Sequence, residues 1–523
     1  MLPTCGTRRQ SLIVLAVFAI LLCSLFYNHN DLHVPRLLVD SRFVPKPHER
    51  LPLLPVAKED LQKVHVLLPA PSRDVSTCKT LLSATVMGYP IPHILGHGEG
   101  EHDETLIGGG RHLSKIEKTL EWLSSQPPEH ASDTVVVVDA YGAFNHHPSN
   151  PTAHATGEAW FQLPLDVLLK RYRGILESSN RRLAERMGVA FEKEHDIRQR
   201  VVFGADKMCT PADPASVACY PIPESPLPKE MYGVWTEDMR LNHTTHLHRY
   251  LSANFIVGSV EDVTRVFTRA SQKIDLARNS TNGAYAISGS DQAVFQHMFG
   301  EQEYRREALR RRHHGGPADL SVVEGVLVHN PLNPTFPHEV PDTISSLPDL
   351  GIAVDYWADL AVQTDLHEDD GRWLTYGHDI PSQLIGRRAG LCVSQVDGAL
   401  PLDLLNTTTR LPRAIVSDAA LWSPARGWDE MPLYSNLCLD TIPVVVNHNG
   451  PQEDRHRDWP EMWMQPHARR ILDGLMKKTE EEGRYEIAGG AYIDWEYTGW
   501  EQLCPAGFES ELYRETAFLG EQS

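Results

Sequence analysis

Four consecutive valines, Val135 to Val138, run into Asp139 in the segment TVVVVDAY, residues 134–141. A β-strand turns alternate side chains to opposite faces, so a strand that is apolar at every position must be covered on both sides. That requirement predicts an α/β fold, a mixed or parallel sheet flanked by helices. Ahead of the valines lies GGGRHLSKIEKTLEWL, in which Gly108, Gly109 and Gly110 lead into a helix with Leu113, Ile116, Leu120 and Leu123 at helical spacing. LLSATVMGY (residues 81–89) reads as a buried strand, as do RVVFGAD (200–206), YLSANFIVG (250–258) and TIPVVVNHNG (441–450), with a helix over 165–187. Strand, glycine-rich loop, helix, strand and then an acidic residue is the opening of a nucleotide-binding α/β unit, because ligands settle at the carboxyl ends of parallel strands.

One apolar run is long enough to meet a bilayer. It is LIVLAVFAILLCSLFY, sixteen uncharged residues at 12–27, preceded by Arg8 and Arg9. The arginines place the N-terminus in the cytosol, and no small-residue cleavage site follows, so the run predicts an uncleaved signal anchor in preference to a cleaved signal. A run this short suits the thinner membranes of the early secretory pathway. The expected organisation is a cytoplasmic tail (1–11), a transmembrane anchor (12–27), a proline-rich stem (28–76), a catalytic unit (77–475) and a C-terminal extension (476–523). It describes a single-pass type II protein of the Golgi or ER with its bulk in the lumen. Sequons at Asn242, Asn279 and Asn406 agree with that compartment. Six cysteines follow the anchor and permit up to three disulfides, with Cys209 and Cys219 the expected local pair across a short proline-rich loop. Lys and Arg number 49 against 69 Asp and Glu, a net charge of −20, which repels a phosphate backbone and argues against nucleic-acid binding. Hydrophobic residues at 41% with 23% charged residues exclude a polytopic membrane protein and a wholly disordered chain.

Several residues could carry chemistry, each with a plainer reading beside it. Asp139, at a strand's carboxyl end, could hold the divalent cation that neutralises a nucleotide sugar's diphosphate; it could equally be a turn aspartate. Gly108 to Gly110 could bring backbone N–H groups to phosphates or form an ordinary loop. Lys115 could reach a phosphate or lie solvated. Asp291 and Gln292, in SGSDQAVF, open a helix as a cap, or face an acceptor hydroxyl as general base or binding residues. His448, in VVVNHNGP, could ligate a metal, occupy a turn or meet a backbone carbonyl. No H-E-x-x-H or CxxC spacing is present, which sets a metal-dependent hydrolase behind these readings.

Taken in order, GGGRHLSKIEKTLEWL, TVVVVDAY, RVVFGADKMCTP, YLSANFIVG, SDQAVF, DYWADLAVQT and VVVNHNGP resemble the glycosyltransferase module of the multifunctional lysyl hydroxylases and collagen galactosyltransferases. They are similar, more closely, to a group of fungal type II membrane proteins with that layout. The resemblance spans about residues 78–470. It implies a GT-A-like (Rossmann-type) fold, a UDP-linked sugar donor, a glycan or glycoprotein acceptor, and a Mn²⁺-type cation bridging the diphosphate. By position, Asp139 and Tyr141 match the metal and nucleotide motif D-x-Y-D, and Gly108 to Gly110 with Lys115 match the segment near the nucleotide. Asp291 and Gln292 match a pair near the transferred sugar, Asp355 and Gln363 a later Asp and Gln, and residues 447–451 the metal-site turn H-G-N-G-P. Gly142 stands at the second Asp of D-x-Y-D, and Glu158, at the far end of an apparent insertion, is the candidate to replace it. Asn447 stands at the family's metal-binding His, with His448 one residue later. The implied metal set is therefore Asp139, Glu158 and His448, and a catalytically silent binding protein is the alternative function.

Overall fold

The structure, a computed structural model, describes residues 56–70, 74–96, 113–140, 158–210, 216–238, 240, 243–278, 290–314, 348–367, 370–377, 400–405, 427–450 and 452–513. The apolar run at 12–27, Gly108 to Gly110, Tyr141, Gly142 and the three sequons lie outside these residues. Among the described residues no helix is long and apolar enough to cross a membrane.

The four-valine segment forms β3 (Thr134–Val138), at the centre of a mixed sheet. With it run β1 (Val64–Pro69), β2 (His93–Leu95), β5 (Val201–Asp206), β6 (Tyr250–Ser259), β7 (Ile352–Val354), β12 (Ala491–Ile493) and β13 (Glu496–Thr498). Their order across the sheet is β13-β12-β2-β1-β3-β6-β5-β7. β1 is parallel to β2 and β3, while β6 runs antiparallel to both β3 and β5. The valines divide as their alternation requires. Val136 and Val138 join a core with α1 (Val75–Val86), whereas Val135 and Val137 join an opposite core with α2 (Ser114–Ser124). The first core is completed by α3 (Leu165–Met187), and the second by α4 (Val260–Arg278) and α5 (Asp291–His314). At about 1.5–3 kcal/mol for each fully buried valine-sized side chain, this strand anchors both layers.

A second, three-stranded sheet orders β4 (Glu158–Phe161), β11 (Val445–His448) and β8 (Ala361–Gln363) as β4-β11-β8. β11 is antiparallel to β4, setting His448 opposite Glu158, and parallel to β8, setting Asn447 opposite Gln363, while β9 (Gly371–Thr375) and β10 (Pro432–Asn436) form a separate antiparallel pair.

Three expectations are corrected. LLSATVMGY is not a strand: its first six residues are the second half of α1, a helix capped by Asp74, whose carboxylate accepts a hydrogen bond from the Thr77 backbone N–H at 2.9 Å. The helix is buried on nearly every side, so its sequence lacks a polar stripe and mimics an interior strand. The expected stem, 28–76, contains β1, because Val64, Val66, Leu67 and Leu68 are fully sheltered between helical layers. The expected extension, 476–523, supplies β12 and β13, with Tyr492 and Ile493 paired to His93 and Ile94 of β2. The disulfide Cys78–Cys504 joins this C-terminal part to α1, and Cys209–Cys219 forms as expected. Cys438 is also disulfide-bonded.

Gly300 sits inside α5 against the loop closed by Cys209–Cys219. A Cβ there would lie 1.8 Å from the Val217 carbonyl oxygen. Gly300→Ala should therefore lower stability by about 1–3 kcal/mol in urea denaturation, although alanine is the better helix former by roughly 1 kcal/mol.

Candidate functional site

At the carboxyl end of β3, Asp139 is buried and meets the Nζ of Lys115 at 2.7 Å. The same ammonium lies 2.9 Å from Asp291 Oδ2 and donates to the Ala253 carbonyl at 2.7 Å. Three residues singled out from separate motifs thus converge on one point: Lys115 from α2, Asp139 from β3 and Asp291 from the first turn of α5. The buried lysine is not the solvated side chain of the plainer reading. Burial alone would draw its ammonium down, and the two carboxylates override that and hold it above the ordinary lysine value. Asp139 is carried up to about 6, chiefly by burial, with the charge of Asp291 adding to it and Lys115 opposing.

Gln292 plays another part than contact with a sugar. Its Oε1 accepts from the Ala253 N–H and its Nε2 donates to the Leu251 carbonyl, both at 2.7 Å, so the amide is spent on the backbone of β6. Gln363 is spent instead on side chains of β6: it accepts from Asn254 Nδ2 at 2.6 Å and donates to Ser252 Oγ at 3.0 Å. Asp355 caps a turn, taking N–H bonds from Asp359 and Leu360, and burial together with the Asp359 charge pushes it up to about 7.

The metal set expected from the motifs does not assemble. Glu158 is buried and paired with Lys79 at 3.2 Å. His448, across the strand pair from it, is fully buried with its ring 3.8 Å from that of Trp160. Both His448 ring nitrogens lack a hydrogen-bond partner, as do both polar atoms of the buried Asn447 side chain. Burial, with Lys79, Arg455 and Arg457 nearby, holds His448 well below the usual histidine value, and those same cations repel a divalent ion. The ammonium groups of Lys115 and Lys79 occupy the positions beside Asp139 and Glu158 that a cation would take. Among the described residues, the group that could hold a metal ion is instead His65, His130 and Asp133. Sequence reasoning missed it because His65 lay in the expected stem, and it missed Lys79 because that residue lies just ahead of the segment read as a strand.

Comparison with models of protein families and with curated proteins finds no match to this chain.

Proposed function

We propose that the chain is a GT-A-type glycosyltransferase of the Golgi or ER lumen, taking a nucleotide sugar, UDP-linked by analogy, and a glycan or glycoprotein acceptor. The observation that carries the reading is the meeting of Lys115, Asp139 and Asp291 at the carboxyl end of the central strand, where α/β sheets bind nucleotides. The reversed strand β6 within the run from β12 to β7, whose other strands are parallel, and the small three-stranded sheet are in keeping with that layout. In this reading Asp291 faces the acceptor hydroxyl and takes its proton, while Lys115 fixes the two carboxylates relative to each other. Gln292 holds the backbone of β6 beneath them, and Gln363 holds the Ser252 and Asn254 side chains of the same strand.

The Mn²⁺-type cation of the resembled family does not fit the described residues, since each candidate carboxylate already holds a buried lysine. No step is routed through it. A second reading, a silent glycan-binding or partner protein, is favoured by one observation: Lys115 has spent its three N–H groups on Asp139, Asp291 and Ala253.

The test is donor turnover by the purified full-length chain across UDP-sugars, with and without Mn²⁺. The expected result is turnover of one donor that added Mn²⁺ leaves unchanged and that Asp291→Asn lowers about 10²-fold or more. Donor binding without turnover establishes the silent reading. Absence of both binding and turnover removes the nucleotide-sugar proposal.

A further inference from the structure

His65 lies in β1, beside Val135 of β3, and Asp133 immediately precedes β3. They therefore sit at the amino-terminal ends of these strands, about 20 Å from Asp139 along β3 at strand rise. His130 belongs to a short 3-10 turn, Pro128–His130, that hands the chain to Asp133. His65 Nε2 and His130 Nδ1 approach the same Asp133 oxygen, Oδ2, at 3.1 and 2.5 Å. The three ligand atoms all lie within 4.8 Å of one another.

The frame around them is rigid. Asp133 N–H bonds to the His130 carbonyl at 2.9 Å, and the Asp133 carbonyl accepts from the Val260 N–H at 2.9 Å. The Thr134 N–H bonds to the Lys63 carbonyl at 2.8 Å, which ties the approach to β1 to the approach to β3. The His65 ring packs against Trp122 and stands edge-on to the His130 ring, at centroid distances of 5.3 and 5.7 Å. Asp133 is buried, whereas the His130 side chain is 42% exposed, leaving one side of the group open to water.

We propose that His65, His130 and Asp133 form a zinc-class metal site of three protein ligands, completed by water. A tetrahedral ion with ligands at about 2.0–2.1 Å sets neighbouring ligand atoms about 3.3 Å apart. The His65–Asp133 separation already matches, His130 stands less than 1 Å too close to Asp133, and the two imidazole nitrogens lie within 4.8 Å of each other, so the partly exposed His130 is the ligand that adjusts. Two imidazoles and one carboxylate select borderline ions such as Zn²⁺ and Co²⁺ over Mg²⁺ and Ca²⁺, which prefer all-oxygen shells. The ion would tie β1 and the 3-10 turn to the entrance of β3. The site is separate from the proposed nucleotide-sugar site and stands or falls independently of it.

The experiment loads chelator-treated full-length chain with Co²⁺ and reads the visible d–d bands of tetrahedral cobalt. The expected result is one equivalent of Co²⁺ with such bands, displaced by Zn²⁺, lost in His130→Ala and retained in Asp139→Asn. Zn²⁺ should also raise the melting temperature of the parent chain and leave that of His130→Ala unmoved. His130 is partly exposed and in a turn, so its replacement tests the ligand without emptying a core position. Absence of the bands in the parent chain, bands that persist in His130→Ala, or bands lost in Asp139→Asn would each overturn the proposal.

Discussion

Lys115→Met should destabilise the chain by about 3–5 kcal/mol at neutral pH, the cost of leaving buried charge without its partner. Lys115 is itself buried, and its removal leaves Asp139 and Asp291 confronting each other in a site closed to water. The deficit should depend on pH in a direction that the Asp139 shift fixes. Its carboxyl stands at about 6, above the ordinary 3.8, so it favours the folded state fully below about 4 and loses that contribution as pH rises through 6. Without Lys115 the carboxyl climbs further and the loss extends to higher pH. In acid the Asp139 carboxyl is protonated, and in the parent chain the buried Lys115 ammonium then loses that counter-charge. The gap between parent and variant, read by urea denaturation at pH 7 and pH 4.5, should therefore be smaller at the second. Adding Asp139→Asn and Asp291→Asn to Lys115→Met should recover much of the neutral-pH loss. An equal gap at both pH values would mean that the lysine stem, and not its charge, carries the stability.

Removing the Cys78–Cys504 disulfide by paired alanine substitution should cost about 5 kcal/mol, the upper end for such bonds, where loop entropy alone would give about 6 kcal/mol. The cysteines are 426 residues apart, against 10 for Cys209–Cys219, and the entropy withheld from the unfolded chain grows with the logarithm of the loop. By that scaling the shorter bond is worth about 2–3 kcal/mol. The long bond also holds a part of the fold whose strand pairing is narrow, although Trp500, Leu503 and Leu512 pack into the first core. β12 reaches β2 through only two residue pairs, and β13 contacts the sheet through β12 alone. Amide exchange in residues 491–513 should accelerate in the paired variant before the central strands respond, and uniform acceleration across the sheet would contradict this.

The sequence made the centre of the fold readable and its margins obscure, for physical reasons. β3, β5 and β6 are apolar over most of their length because helices cover both faces, and their bounds came close to those expected. The helix over 165–187 carries a clear apolar stripe and was expected at the residues it occupies. α1 was misread because total burial erases the stripe that distinguishes a helix from a strand. β1 was hidden because Pro69, and Pro71 after it, made a sheltered strand look like part of a proline-rich stem. Within the site, Lys115, Asp139 and Asp291 could be named individually, but nothing in their spacing announced that one ammonium would join them. The Glu158–Lys79 and His65–His130–Asp133 groups arise only from tertiary approach.

The reversed strand β6 has a thermodynamic consequence for the two sites. At its middle the Asn254 carbonyl accepts from the Asp139 N–H at 3.2 Å, and just past its end the Val260 N–H binds the Asp133 carbonyl. One strand, hydrogen-bonded along both edges, thus spans from the proposed sugar site to the proposed zinc site. Coupling between ligands needs an element with two arrangements that both ligands bias, and a strand clamped on each side has one. Zinc and nucleotide sugar should accordingly bind as strangers, each affinity indifferent to the other's presence, and their stabilising effects should add.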